Sequence, residues 1–224
     1  MTYRDKYIYL GREYTNMANV LFIKANDRPA DQAISVQMYD AFYNAYKEAN
    51  PTDNIIELDL FAANLPAYGN NAATGTFKVA KGIETTPAEQ EAADLAAFYQ
   101  KQFLEADKVV VAFPLWNFTV PAPLVNYISY LSQAGVTFKY TAEGPVGLAG
   151  DKKVVLLNAR GGVYSEGPLA AVEMAVKYVA SAFGFWGIQN PEVLVIEGHN
   201  AFPDRSAEIV QEGLRKVAET ASRF

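Results

Sequence analysis

The segment "PLWNFTVP", Pro114 to Pro121, sets an amide between two aromatic rings where an apolar run gives way to a helical one. A flat heteroaromatic ring could rest on Leu115 and Trp116 while backbone N–H groups and the Asn117 amide meet its polar edge, an arrangement suited to an uncharged ring with hydrogen-bonding atoms. The plainer alternative makes Trp116 and Phe118 core aromatics and Asn117 a turn residue. A second segment, "ANDRPADQAIS", opens a helical pattern. Free N–H groups at Ile34 and Ser35, the Ser35 hydroxyl and the Asn26 side chain could cradle a phosphate without any lysine, because a helix start carries partial positive charge. Simple capping of a helix and a turn by Ser35 and Asn26 is the alternative. In the third, "NARGGVYSEGP", Arg160, Gly161 and Gly162 would let main-chain donors approach a ligand that gains negative charge, or would merely form a glycine turn.

Other chemistries are poorly supported. The chain has neither the G-x-G-x-x-G of a dinucleotide fold nor the G-K-[ST] of a P-loop. His199 is the only histidine, no G-x-S-x-G elbow accompanies it, and cysteine is absent, so a hydrolase triad, a thiolate site and a histidine-based metal site all lack their residues. No metal is expected. A phosphoacceptor domain would end its third strand in aspartate, where this chain has Phe113 and Pro114.

The elements that must position these segments are legible as alternating patterns. Near-continuous apolar runs begin at Asn19, Asn54, Lys108, Lys152 and Glu192, as expected of strands covered on both faces. Between them lie helical stripes: Ile34, Met38, Phe42 and Ala45; Leu95, Tyr99 and Phe103; Leu124, Ile128 and Leu131; Val172, Val176, Val179 and Phe183; Val210, Leu214, Val217 and Ala221. Thr86-Pro87-Ala88-Glu89 reads as a capping box with a first-turn proline. The pattern predicts an α/β fold, a doubly wound five-stranded parallel sheet with helices on both faces and strand order 2-1-3-4-5, whose ligand crevice lies at the carboxyl ends of strands one and three. The stretch from Asn64 to Gly82 shows no clear period and reads as a surface excursion or interface element.

Length and composition set the outer bounds. A chain of 224 residues, half of them apolar and 20% charged, fits one globular domain. A net charge of −6 with scattered Lys and Arg argues against nucleic acid, and no apolar run reaches membrane-spanning length. The lack of cysteine suits a reducing compartment and points to the cytoplasm. Residues 1–16 read as a leader ahead of a domain over 17–224, with Met17 an alternative start, since "MANVLFIK" runs straight into the first strand.

Taken together, "FPLWNFTVPAPLVNYISYL", "AGVTFKYTAEGPVGLAG", "NARGGVYSEGP" and "GFWGI" resemble the FMN-dependent NADH:azoreductase and quinone reductase family, from Met17 almost to the carboxyl end. The resemblance implies a flavodoxin-like homodimer holding FMN non-covalently and using NADH, or NADPH, to reduce quinones and to split aromatic azo compounds to amines by ping-pong hydride transfer. It implies flavin contacts from Leu115, Trp116, Asn117 and Phe118 and from Ala159, Arg160, Gly161 and Gly162, and a phosphate loop at Asn26, Ala33, Ile34 and Ser35. Relatives show several serines in that loop; this chain keeps one, and Arg28 is a candidate for the missing attraction. Tyr164 is implied to lie near the substrate face, and Tyr140 and the segment from Phe183 to Trp186, which in relatives wall the pocket across the dimer, are the further implied substrate contacts; hydride passes through flavin N5, so no catalytic side chain is required. A flavodoxin-type one-electron carrier and an FAD-dependent quinone reductase are the alternatives.

Overall fold

The computed structural model describes residues 17–224; the leader expected over residues 1–16 lies outside the described residues. Five strands, β1 (Asn19–Lys24), β2 (Asn54–Asp59), β3 (Lys108–Pro114), β6 (Lys153–Arg160) and β7 (Glu192–Glu197), form one sheet in the order β2-β1-β3-β6-β7 with every pairing parallel. This is the expected 2-1-3-4-5 order. Between β3 and β6 the chain forms a separate antiparallel hairpin, β4 (Phe138–Thr141) with β5 (Gly144–Gly147), beyond the five strands expected from the sequence.

Alternation along the central strands sorts the core into two clusters. Leu21, Ile23, Val109, Val111 and Leu156 pack with Tyr99 and Phe103 of α3 (Pro87–Leu104), Leu124 and Ile128 of α4 (Ala122–Leu131), and Val179 of α5 (Ala175–Phe185). Val20, Phe22, Val110, Val155 and Leu157 pack with Met38 and Phe42 of α1 (Ile34–Ala49) and Val217 of α6 (Ser206–Arg223). Phe183, expected to touch substrate, is a correction: it is only 1% exposed and lies against Phe103 and Trp186, ring centroids 5.7 and 5.0 Å away. Its place at i+4 from Val179 turns it inward, whereas Phe185 is exposed beside Phe138. Val172 also leaves the expected stripe, because Pro168–Val172 is a short 3-10 turn before α5 begins.

The stretch from 64 to 82 holds a helix, α2 (Asn70–Lys81), ended by Gly82 at φ +66°. Its buried face is Ala72, Gly75 and Thr76, so it reaches α3 by close approach and not by large apolar side chains. The capping box forms as expected: Thr86 Oγ accepts from the Glu89 N–H at 3.3 Å and Glu89 Oε2 from the Thr86 N–H at 2.8 Å. Lys78 Nζ also donates to both Glu89 carboxylate oxygens at 2.7–2.8 Å, and these bonds, with those from Thr86, hold the carboxyl below its ordinary pKa. A Cβ on Gly75 would overlap the Glu89 carbonyl oxygen. Gly75→Ala should therefore destabilise the fold by about 1 to 3 kcal/mol, despite alanine's better helix propensity. Urea unfolding beside the exposed Asn71→Ala control checks this; equal stability of the two variants would refute the close approach.

Candidate functional site

The loops after β1, β3, β6 and β7 meet at the carboxyl edge of the sheet around a cleft of about 570 Å³. Hydrogen bonds beyond the strand ends set their level: the Ala25 N–H donates to Ala112 O and the Leu115 N–H to Ala159 O, each at 2.9 Å. The cleft is lined from the first loop by Asn26, Ala33, Ile34 and Ser35, from the second by Leu115 and Trp116, and from the third by Ala159, Arg160 and Gly161. Among the described residues, no group of three or more His, Asp or Glu stands together as a metal site, and no helix is long and apolar enough to cross a membrane.

At the first loop, helix α1 has no side-chain cap. The N–H groups of Ile34 and Ser35 meet no acceptor among the described residues, as the start of a helix dictates. Ser35 is buried, and its hydroxyl accepts from Asn26 Nδ2 at 2.9 Å while Asn26 Oδ1 accepts from the Arg28 N–H at 3.0 Å. The hydroxyl proton thus remains to be donated. The Arg28 side chain lines the same cleft with no ion-pair partner among the described residues, although Asp31 also faces the cleft.

Trp116 and Thr119 exchange two backbone hydrogen bonds, 2.9 and 3.0 Å, across a two-residue turn in which Asn117 and Phe118 both have positive φ, +49° and +71°. This is the mirror-image geometry that normally selects Asn-Gly; Asn117 suits its position, whereas Phe118 occupies one that favours glycine. The turn holds both N–H groups away from the ladder, and the Phe118 carbonyl accepts from the Met174 N–H at 2.9 Å. Asn117 and Phe118 are exposed and do not line the cleft; nor does Tyr164, which meets Phe118 edge-on at 6.4 Å. Tyr140 lies apart on the β4–β5 hairpin, 73% exposed beside Phe138.

The third loop is held by a polar chain that ends a buried strand. Asn158 Nδ2 donates to Phe113 O at 3.1 Å, Arg160 Nε to Asn158 Oδ1 at 2.8 Å, and the guanidinium lies 3.6 Å from Glu197. Glu197 Oε2 in turn accepts the N–H groups of Tyr164 and Ser165. Asn200 and Ala201 N–H groups donate to Gly161 O, and the Gly198 N–H to Gly162 O, so the carbonyls of both glycines face the loop after β7. Their N–H groups have no acceptor among the described residues. A Cβ on Gly161 would overlap the Asn200 amide, and one on Gly162 would press on the Tyr164 ring. His199, dismissed above for hydrolytic or metal chemistry, lines the cleft, and burial alone lowers its pKa. No motif marked it; its position just after the fifth sheet strand was the available signal.

A family model described as a flavodoxin-like fold matches residues 18–221. The chain belongs to this flavodoxin-like family. An FMN-dependent NADH:quinone oxidoreductase from Bacillus cereus is 63% identical over 208 residues, spanning 93% of this chain and all of the relative. An azoreductase crystal structure from Bacillus anthracis is 60% identical, with a TM-score of 0.91 over 93% of this chain and 100% of the other. A second Bacillus anthracis structure, an FMN-dependent NADH-azoreductase in complex with FMN, is 28% identical, with a TM-score of 0.84 over 92% and 99% of the two chains. Within this flavodoxin-like frame, the Asn117–Phe118 turn has a cost of its own. Asn117→Ala should lower the stability of flavin-free protein by about 1 kcal/mol, since alanine tolerates the left-handed region poorly. Phe118→Gly should leave stability unchanged or raise it, strain relief offsetting the lost Tyr164 contact. Chemical denaturation of both variants decides it, and marked destabilisation by Phe118→Gly would show that the turn is unstrained.

Proposed function

We infer that the protein is an FMN-dependent NADH:quinone oxidoreductase that also reduces azo compounds. The observation that carries this reading is the meeting, in one cleft at the β1/β3 switch point, of unpaired helix-start N–H groups, an apolar Leu115–Trp116 wall and the Arg160–Gly161 loop. Relatives at 60% identity or more, each matched along its whole length, support the same chemistry. Bound FMN supplies the two-electron transfer between a nicotinamide nucleotide and the acceptor.

The chain's residues suit that group at each end. The Ile34 and Ser35 N–H groups, the Ser35 hydroxyl and the Arg28 side chain would hold the phosphate, with Asn26 and Ala33 shaping the turn. Leu115 and Trp116 would flank the ring, and the turn at Asn117 and Phe118 would offer it main-chain donors. Arg160 and the Gly161–Gly162 N–H groups, with Ala159 behind them, would stabilise negative charge developing at its polar edge without reorganising. The missing Cβ atoms make room for the Asn200 amide and the Tyr164 ring against that backbone. The exposed Phe118 ring and the half-buried Tyr164 ring would present an apolar face to flat substrates, and protons can come from solvent, so no side-chain acid or base is assigned.

The reading extends to a single doubly wound domain over residues 17–224, helices covering both faces of the sheet, a cytoplasmic location and a ping-pong sequence in which the nucleotide leaves before the acceptor binds. It also extends to a homodimer. Support for that comes from an apolar groove beside α4, lined by Phe61, Leu65, Tyr68, Val120 and Val125, and from exposed Tyr140 and Phe185 near the β4–β5 hairpin. A second copy would cover these surfaces.

Purified protein should be yellow, release FMN and not FAD on heating, and consume NADH steadily with menadione or methyl red. Initial rates should give parallel double-reciprocal lines, and sedimentation a dimer. Flavin without sustained NADH consumption would favour a one-electron carrier. At the phosphate end, Ser35→Ala should weaken FMN binding about tenfold, for one lost charge-assisted hydrogen bond, while riboflavin binding stays unchanged. Fluorescence titration of flavin-free protein with each ligand tests this, and equal weakening of both would remove Ser35 from the phosphate.

A further inference from the structure

Three buried side-chain polar atoms lack a hydrogen-bond partner among the described residues: Gln102 Oε1, Tyr127 OH and His199 Nδ1. Tyr127 is enclosed in the core, and Gln102 lines a smaller recess at the other end of the sheet, with Asn19 and Asn54. His199 alone of the three lies on the carboxyl-end cleft.

The histidine's backbone is fixed on both sides. Gly198, at φ +83°, donates its N–H to Gly162 O at 3.1 Å, and Asn200 donates its own to Gly161 O at 3.0 Å. A Cβ on Gly198 would press on Phe202 and Val163, so this corner has little room to carry the imidazole toward a partner elsewhere. The charged groups of the surrounding elements do not serve it either. Arg160 of β6 is engaged by Asn158 and Glu197, and Glu197 of β7 by Arg160 and two main-chain N–H groups. Arg28 and Asp31 come from the loop after β1, and Asp204 and Arg205 from the turn before α6, where Arg205 pairs with Glu208. Burial alone moves the imidazole, and it moves it toward the neutral form. A neutral imidazole has one donor and one acceptor nitrogen, and leaving the enclosed Nδ1 unpaired is costly. Nothing in the protein fixes its tautomer.

We propose that His199 is a cofactor-contacting residue, whose neutral imidazole turns on FMN binding to make with the cofactor the hydrogen bond that Nδ1, enclosed in the flavin-free protein, leaves unmade. This rests on the FMN reading above. FMN and not the acceptor is the partner, because His199 shares its cleft with Ser35, Trp116 and Arg160, whereas Phe118 and Tyr164, the rings assigned to substrate, do not line it.

The lone histidine makes the test specific, since every imidazole signal of nitrogen-15-labelled protein is that of His199. Adding FMN to flavin-free protein should shift the imidazole nitrogen resonances and settle them into one tautomer. His199→Phe should raise the FMN dissociation constant about tenfold, the loss of one hydrogen bond, while His199→Gln, which keeps a donor and an acceptor, should stay within about threefold of wild type. Unmoved wild-type resonances at saturating FMN would overturn the proposal, as would wild-type affinity in folded His199→Phe or equal weakening in both variants. If His199→Phe fails to fold, the wild-type spectrum and His199→Gln decide. Flavin absorbance in the same wild-type titration reports the FMN reading separately; no bound flavin at all would overturn both.

Discussion

Because β1 pairs in parallel with β2 on one side and β3 on the other, the chain must leave its carboxyl end and that of β3 in opposite directions. Helix α1 departs into the cluster shared with α6, and α4, which follows β3, into the cluster shared with α3 and α5. The two departing backbones part and leave a crevice between them. Leu21, Ile23, Val109 and Val111 in one cluster and Val20, Phe22, Val110 and Ala112 in the other are all buried, so the register of this pair is fixed by the core on both faces and the crevice cannot slip. A helix start, an aromatic turn and a glycine loop, far apart in sequence, thereby arrive at one level.

The same sheet sets the terms for the polar groups at its edge. Strand β6 is apolar from Val154 to Leu157, then turns polar at Asn158 and Arg160 while still buried. A guanidinium 5% exposed is tolerable only if its donors are satisfied and a carboxylate is near, and Asn158 and Glu197 supply these. Their arrangement also aims backbone: Glu197 collects the N–H groups of Tyr164 and Ser165, and the Gly198–Ala201 loop takes the glycine carbonyls. What remains without an acceptor among the described residues is the pair of Gly161 and Gly162 N–H groups. Net negative charge on the chain is therefore no obstacle to an anionic ligand, since the local field comes from main-chain donors and one buried cation.

Large apolar side chains are the part of this fold that the sequence makes legible. The five sheet strands, their order and the helices with stripes of Leu, Ile, Val and Phe all follow from it. Helix α2 escapes because its packing face is Ala72, Gly75 and Thr76, residues whose contribution is closeness and not hydrophobicity. The β4–β5 hairpin escapes because its strands are four residues each and rich in glycine and polar side chains. Phe183 teaches a different lesson. Periodicity puts it on the inward stripe with Val179, and the structure agrees; the resemblance implies a substrate contact, for which a ring 1% exposed has no surface to offer. In the sequence His199 has only a nucleophile's base or a metal ligand as its chemistry, and a buried nitrogen without a partner is visible only in three dimensions.

The Asn117–Phe118 turn joins these themes, because it is where local preference and global demand disagree. A glycine at 118 would satisfy the turn, yet it would remove an exposed ring standing edge-on to Tyr164 at 6.4 Å. The left-handed conformation persists because it is constrained from three sides: the Trp116–Thr119 hydrogen-bond pair closes the turn, the Met174 N–H holds the Phe118 carbonyl, and Pro121 commits the chain to α4. Strain of this kind costs roughly 1 to 3 kcal/mol and survives where surrounding structure over-determines it. In this protein the surrounding structure is the buried β3 strand before the turn and helix α4 after it, so the rigid sheet that brings the loops together also maintains the one conformation that projects an aromatic ring beside them.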